Sequence, residues 1–87
     1  MHEAVARTLS SARAGCRVRL GVPQGVDHDV LRELWAMRLL PGETVTVVAV
    51  LGRSGPVLVQ GAGGIFALGR RLAERLPAET LPPEAPA

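Results

Sequence analysis

The stretch Leu39-Leu40-Pro41-Gly42-Glu43 separates two hydrophobic patterns and decides the fold. In residues 30–37, before it, apolar side chains recur at helical spacing, whereas the run 44–51 after it is rich in β-branched residues. Proline fixes φ and glycine tolerates positive φ, so Pro41 and Gly42 suit the two central positions of a type II turn. The stretch therefore predicts a helix that turns directly into a strand.

Further strands are predicted on both sides of this corner. Residues 16–20, 57–60 and 65–68 have strand character and are separated by glycine-rich turns. The glycines of 61–64 are better explained as a strand corner than as a phosphate loop, because no Gly-Lys-Ser/Thr follows them. A short C-terminal helix then ends at Pro77. The pattern predicts a mainly β fold: a small β-barrel with one amphipathic helix between its first and second main strands.

Three regions are predicted along the chain. We expect residues 1–7 to be a flexible N-terminus and residues 8–77 to form one domain, the limit for a chain of 87 residues. Residues 78–87 contain three of the prolines and are predicted to be a disordered tail. The only aromatic residues are Trp35 and Phe66, so the core must be built from Val, Leu, Ala and Ile.

Composition excludes several classes of protein. All ten basic residues are arginine and the net charge is only +2, so we expect no nucleic-acid partner. A single cysteine excludes an internal disulfide. No apolar run approaches the ~20 residues that cross a bilayer, so no membrane insertion is expected. No secretory signal is visible, and the chain is expected to be cytoplasmic.

Few residues are candidates for metal binding or catalysis. Asp27-His28-Asp29 could supply ligands to a divalent transition metal, but consecutive residues converge poorly on one ion, and an aspartate before a helix is commonly its N-cap. Cys16 alternates with apolar residues and is interpreted as a buried structural thiol. No nucleophilic triad is available, so we predict no enzyme, no catalytic residue and no cofactor site.

Some side chains could instead serve a protein partner. Trp35 is expected to cover the barrel as the large anchor of its helix; if it is exposed, it becomes the leading candidate for partner binding. Leu39 and Leu40 could likewise lie either in the core or on a docking surface. The predicted partner-binding residues are Trp35, Leu39, Leu40, Pro41 and Gly42. Arginines 53, 70, 71 and 75 are either an anion-binding patch or ordinary solvated residues.

An ordered series of motifs resembles the ferrous-iron transport protein A family (FeoA), which are small SH3-like barrels. The matching residues are Leu9-x5-Gly15-x2-Val18, Leu31-Arg32-x-Leu34-x-Ala36-Met37-x-Leu39-Leu40-Pro41-Gly42-x2-Val45-x-Val47, Gly55-Pro56-Val57-Leu58-Val59 and Phe66-Ala67-Leu68-Gly69-Arg70-x-Leu72-Ala73. The chain departs from the family at two places: Arg38 stands where the family has glycine, and Pro77 falls where the family begins a short closing strand.

The resemblance implies a non-enzymatic accessory role. It implies an SH3-like interaction module for a membrane ferrous-iron transporter with a cytoplasmic GTPase domain (FeoB-like). The alternative is a free-standing metal-sensing or regulatory domain, because the same fold forms the C-terminal domain of iron-dependent transcriptional repressors. Whether the chain is a homo-oligomer stays open; an open barrel edge near Pro77 would favour self-association.

Overall fold

The fold was analysed in a computed structural model that describes residues 7–83. Its elements are, in chain order, a 3₁₀ turn (Leu9–Ser11), β1 (Arg17–Leu20), α1 (His28–Ala36), β2 (Thr44–Val50), β3 (Val57–Gly61), β4 (Gly64–Leu68), α2 (Arg70–Ala73) and β5 (Ala78–Thr80). The strands form one antiparallel sheet in the order β4-β3-β2-β1-β5. This confirms the predicted mainly β, SH3-like fold, with α1 between the first two strands and a short helix near the C-terminus. The predictions of a flexible N-terminus and of a disordered tail fall, at residues 1–6 and 84–87, outside the described residues.

The sheet wraps around an aliphatic core. Alternate residues of β1, β2 and β3 face inward, and Leu34 of α1 lies fully buried among them. Phe66 only packs against the edge of this core, and the single isoleucine, Ile65, is 58% exposed. The prediction of a Val, Leu and Ala core is thus confirmed, whereas the expectation that isoleucine contributes is wrong. The buried residues are Leu9, Val18, Leu20, Leu34, Leu39, Val45, Val47, Val57, Val59, Leu68, Ala73, Leu76 and Ala78.

Helix α1 ends in a Schellman motif. The N–H of Leu39 donates to the carbonyl of Leu34 at 2.8 Å, and the N–H of Arg38 donates to that of Trp35 at 3.0 Å. This geometry requires a left-handed residue, and Arg38 supplies it with φ of 60°. The accompanying apolar contact is made in the core, where Leu34 and Leu39 are both buried. Arg38 therefore adopts the conformation for which glycine is the usual choice.

The chain turns again four residues later. The N–H of Glu43 donates to the carbonyl of Leu40 at 3.0 Å, with Pro41 and Gly42 between them and Gly42 at φ of 89°. Positive φ at the third residue of such a turn is the type II signature, so the predicted turn is confirmed. Gly42 also donates to the carbonyl of Leu20 at 2.7 Å, which ties the turn to the end of β1.

The corner also receives the tip of the β3–β4 hairpin. A Cβ built on Gly63 would lie 2.5 Å from the carbonyl oxygen of Met37 and 3.4 Å from the Cβ of Arg38. Only glycine allows the two backbones to approach this closely. The glycines of 61–64 thus act as a strand corner, as predicted, and one of them also forms the contact with α1.

Strand β5 corrects the predicted boundary of the C-terminal tail. Residues 78–80 pair with β1 in the register Leu20↔Ala78 to Val18↔Thr80, so the prediction that the tail is disordered from residue 78 is wrong for this segment. Proline is tolerated at the start of a strand, and here the carbonyl of Pro77 accepts the N–H of Gly21 at 2.8 Å. The other side of the segment pairs with the N-terminus, through a bridge between Thr8 and Pro77.

The left-handed Arg38 generates a stability prediction. Replacing Arg38 with glycine should raise the free energy of unfolding by about 1 kcal/mol, because glycine pays no steric penalty at positive φ. Arg38→Ala removes the same charge but keeps the penalty, and should leave stability within about 0.5 kcal/mol of the parent. Urea unfolding of the three proteins measures the difference. A loss of stability in Arg38→Gly would show that the arginine side chain makes a stabilising contact.

Candidate partner-docking surface

Trp35 lies on the exposed flank of α1 and is 60% exposed. The expectation that it covers the barrel is wrong, because Leu34 fills the contact with the core and Val30 and Met37 pack beside it. Trp35 is one residue, or about 100° of helix rotation, away from Leu34 and therefore points off this contact line. Trp35 is thus a large exposed aromatic side chain on a short helix, the second of the two placements considered for it.

The residues after Trp35 divide between core and surface. Leu39 is 3% exposed and belongs to the core, so its side chain is not accessible to a partner in this fold. Leu40 is half-buried, and Pro41 and Gly42 are exposed. The alternation follows from the Schellman motif, which turns Leu39 inward and leaves the next residues on the outside of the corner. The structure thus brings Trp35 and the 40–42 turn to the two ends of one corner.

The segment before α1 acts as a cap. Asp27 accepts the N–H of Val30 at 2.9 Å through Oδ1, the geometry of an N-cap. Asp29 lies 3.6 Å from Arg32 in an exposed ion pair, and His28 is exposed on the first turn. Within residues 7–83, no three His, Cys, Asp or Glu side chains are grouped so that they could hold a metal ion. The structure thus places Asp27 in the capping role, the alternative that the sequence offered to metal binding.

Cys16 is half-buried rather than buried, and it lines a surface cavity of about 370 Å³. The opposite wall is the C-terminal segment, where the carbonyl of Pro82 accepts a bond from Arg17 at 3.4 Å. This contact is long and exposed and therefore contributes little. Cys16 also joins the sheet through its backbone, since its carbonyl accepts the N–H of Val47 at 2.8 Å.

Arg70 has a structural role that the sequence did not reveal. Its Nη1 donates to the carbonyl of Ser10 at 2.7 Å, and its Nη2 donates to the carbonyl of Gly52 at 2.9 Å. The side chain thereby joins the N-terminal 3₁₀ turn to the β2–β3 turn, across the start of α2. Arg53 and Arg71 remain exposed near it. Both carbonyls are distant in sequence from Arg70, so no local pattern could have indicated them.

No helix within residues 7–83 is long and apolar enough to cross a membrane.

Comparisons with known proteins agree with the geometry. The sequence model of the FeoA domain family matches residues 7–79. A crystal structure of an iron uptake regulatory protein (FeoA) superimposes with a TM-score of 0.77 at 28% identity, covering 88% of this chain and all of that one. The solution structure of the FeoA protein from Chlorobium tepidum gives 0.78 at 23% identity, covering 91% of this chain and 74% of that one.

The fold also occurs inside a larger protein. A manganese-dependent transcriptional repressor superimposes with a TM-score of 0.79 at 20% identity. The match covers 91% of this chain but only 43% of the repressor, so it shows a shared fold and not a shared activity. The comparison with curated proteins found no significant match.

The two bonds of Arg70 generate a second prediction. Arg70→Gln should lower the free energy of unfolding by about 1–3 kcal/mol, because two backbone carbonyls lose a charged donor. Arg71→Gln removes the same charge from an exposed neighbour and should change stability by less than about 0.5 kcal/mol. Equal effects in urea unfolding would mean that Arg70 does not hold the two turns together.

Proposed function

This chain belongs to the FeoA family, and from that premise we propose that it is a cytoplasmic, non-enzymatic accessory protein of ferrous-iron uptake. In this proposal its SH3-like domain docks on the cytoplasmic GTPase domain of a membrane ferrous-iron transporter (FeoB-like). The family match over most of the chain supports the association with iron uptake, and the FeoA structure at 28% identity, an iron uptake regulatory protein, supports the same process.

The exposed Trp35 is the observation that carries the docking role. Binding energy at protein interfaces concentrates in a few residues, and tryptophan is the type most enriched among them. Trp35 lies on a well-ordered corner, because the Schellman motif and the type II turn fix the backbone after it. A rigid support lowers the entropy lost on binding. Leu40, Pro41 and Gly42 extend this surface past the end of the helix.

The alternative function, a free-standing metal-sensing or regulatory domain, draws on the fold alone. Its support is the likeness to the manganese-dependent repressor, at 20% identity and across less than half of that protein. The family match favours the iron-uptake role over it.

Binding to the transporter's GTPase domain tests the proposal. The chain should bind the isolated GTPase domain, and Trp35→Ala should weaken the complex by about tenfold or more, the loss typical of an interface hot spot. Val22→Ala is the matched control, because Val22 is an apolar residue of similar exposure (62%) outside the corner. Both variants should keep the stability of the parent, since exposed side chains contribute little to it. Isothermal titration calorimetry measures the affinities, with the GTPase domain in its GDP state and in its GTP state.

Two results would contradict the proposal. One is no binding in either nucleotide state. The other is equal affinity of the parent and Trp35→Ala, which would remove Trp35 from the interface.

A further inference from the structure

Strand β4 presents a free edge. It pairs with β3 through five residue pairs, from Gly61↔Gly64 to Val57↔Leu68, and within residues 7–83 no backbone bond reaches its other side. Hydrogen-bonded and non-hydrogen-bonded pairs alternate from the closing pair Gly61↔Gly64, so Ile65 and Ala67 direct their N–H and C=O groups away from β3. Four backbone groups are therefore available to another strand.

The usual protections of an edge are missing here. Natural sheets guard their edges with charged residues, proline, bulges or a covering element. Residues 64–68 contain no charge and no proline, and the β4 register has no bulge. At the opposite end of the sheet, β5 carries Glu79, and Pro77, directly before β5, forms a bridge with Thr8. Of the two edge strands, β5 is thus protected and β4 is not.

The surface beside this edge is apolar except for Gln60, the exposed partner of Ile65 on β3. Ile65 is 58% exposed, and Ala67 is exposed beside the half-buried Leu58, its partner on β3. Two strands away from the edge, Val48, the extra residue of the bulge in β2, is 42% exposed. An incoming strand would place every second side chain next to Ile65 and Ala67, so apolar residues at alternate positions fit this edge.

Both ends of the edge are basic. At the Gly64 end lies Arg38, whose Cβ would be 3.4 Å from a Cβ on Gly63. At the Leu68 end lie Arg71 and Arg53, the latter next to the Gly52 carbonyl that Arg70 holds. Within residues 7–83, Arg38, Arg53 and Arg71 make no ion pair.

The basic residues at both ends of the β4 edge indicate which kind of strand can pair with it. A second copy of this chain, paired antiparallel about a twofold axis, would bring the Leu68 end of one β4 onto the Gly64 end of the other. Arg53 and Arg71 of each copy would then face Arg38 of its partner, and this like-charge arrangement disfavours the dimer. We propose that the β4 edge binds an extended segment of a protein partner as a sixth strand. That segment has apolar residues at alternate central positions and acidic residues at both ends.

The proposal builds on the role as an interaction module but does not depend on which protein supplies the segment. The probe is a blocked synthetic peptide of sequence Asp-Glu-Val-Thr-Val-Thr-Val-Glu-Asp, and the control replaces its acidic residues with lysine. On addition of the acidic peptide to the ¹⁵N-labelled chain, hydrogen exchange at the Ile65 and Ala67 amides should slow by about tenfold or more at saturation, because those N–H groups become bonded. The lysine peptide should leave both rates unchanged.

Variants locate the interaction. Ala67→Pro removes one outward N–H without removing a bond to β3, and it should abolish peptide binding. Arg53→Glu should weaken binding by about fivefold, whereas Arg13→Glu, the same charge change in the loop before β1, should not. If Ala67→Pro fails to fold, Arg53→Glu carries the test, because Arg53 is an exposed turn residue.

Three outcomes would overturn the proposal. They are no protection at Ile65 and Ala67, equal binding of the acidic and lysine peptides, and self-association of the chain alone in sedimentation velocity with the same two amides protected. Because the assay uses no transporter, its failure would leave the docking role of Trp35 standing, and failure of the transporter to bind would not affect the peptide result.

Discussion

The left-handed backbone of Arg38 is the constraint on which the rest of the structure depends. It reverses the chain at the end of α1 and allows the bond between the Leu39 N–H and the Leu34 carbonyl. That bond turns Leu39 into the core beside Leu34, which leaves Trp35 on the outside of the helix. Only with this reversal does Met37 meet Gly63 at the tip of the β3–β4 hairpin. One residue thus links the packing of α1 to the position of the exposed tryptophan.

The two edge strands of the sheet differ in how far other parts of the chain cover them. Beyond β5, the N-terminal segment adds a bridge at Thr8, and Arg70 joins the adjacent 3₁₀ turn to the β2–β3 turn. Beyond β4, within the described residues, there is no such element. Long-range bonds from backbone and guanidinium therefore secure one end, whereas the other end keeps its backbone groups free. Within residues 7–83, the β4 side is therefore the end of the sheet that is open along its whole strand.

Much of the fold could be predicted from the local sequence pattern. Much less of the candidate docking surface could be predicted in this way. The type II turn followed from Pro41 and Gly42 alone, because their backbone preferences are local. Strand β5 was missed because proline and polar residues weaken its pattern, and its pairing with β1 is visible only in three dimensions. Trp35 was expected to cover the barrel because an amphipathic helix needs a large anchor, but Leu34 makes that contact, and which side chain meets the sheet is decided only in three dimensions. The role of Arg70 depends on two carbonyls far along the chain, for which the sequence carries no signal.

Hydrogen exchange at the Leu39 amide tests most directly whether the corner holds the fold together. If the Schellman motif is part of the core, this amide opens only when the whole domain unfolds, and its exchange free energy should equal the free energy of unfolding measured in urea. The outward amides of Ile65 and Ala67 provide the comparison within the same spectrum, since they should exchange almost without protection. If Leu39 exchanges as fast as those two amides while the β1–β2 amides stay protected, the corner frays independently and the account of Arg38 is contradicted.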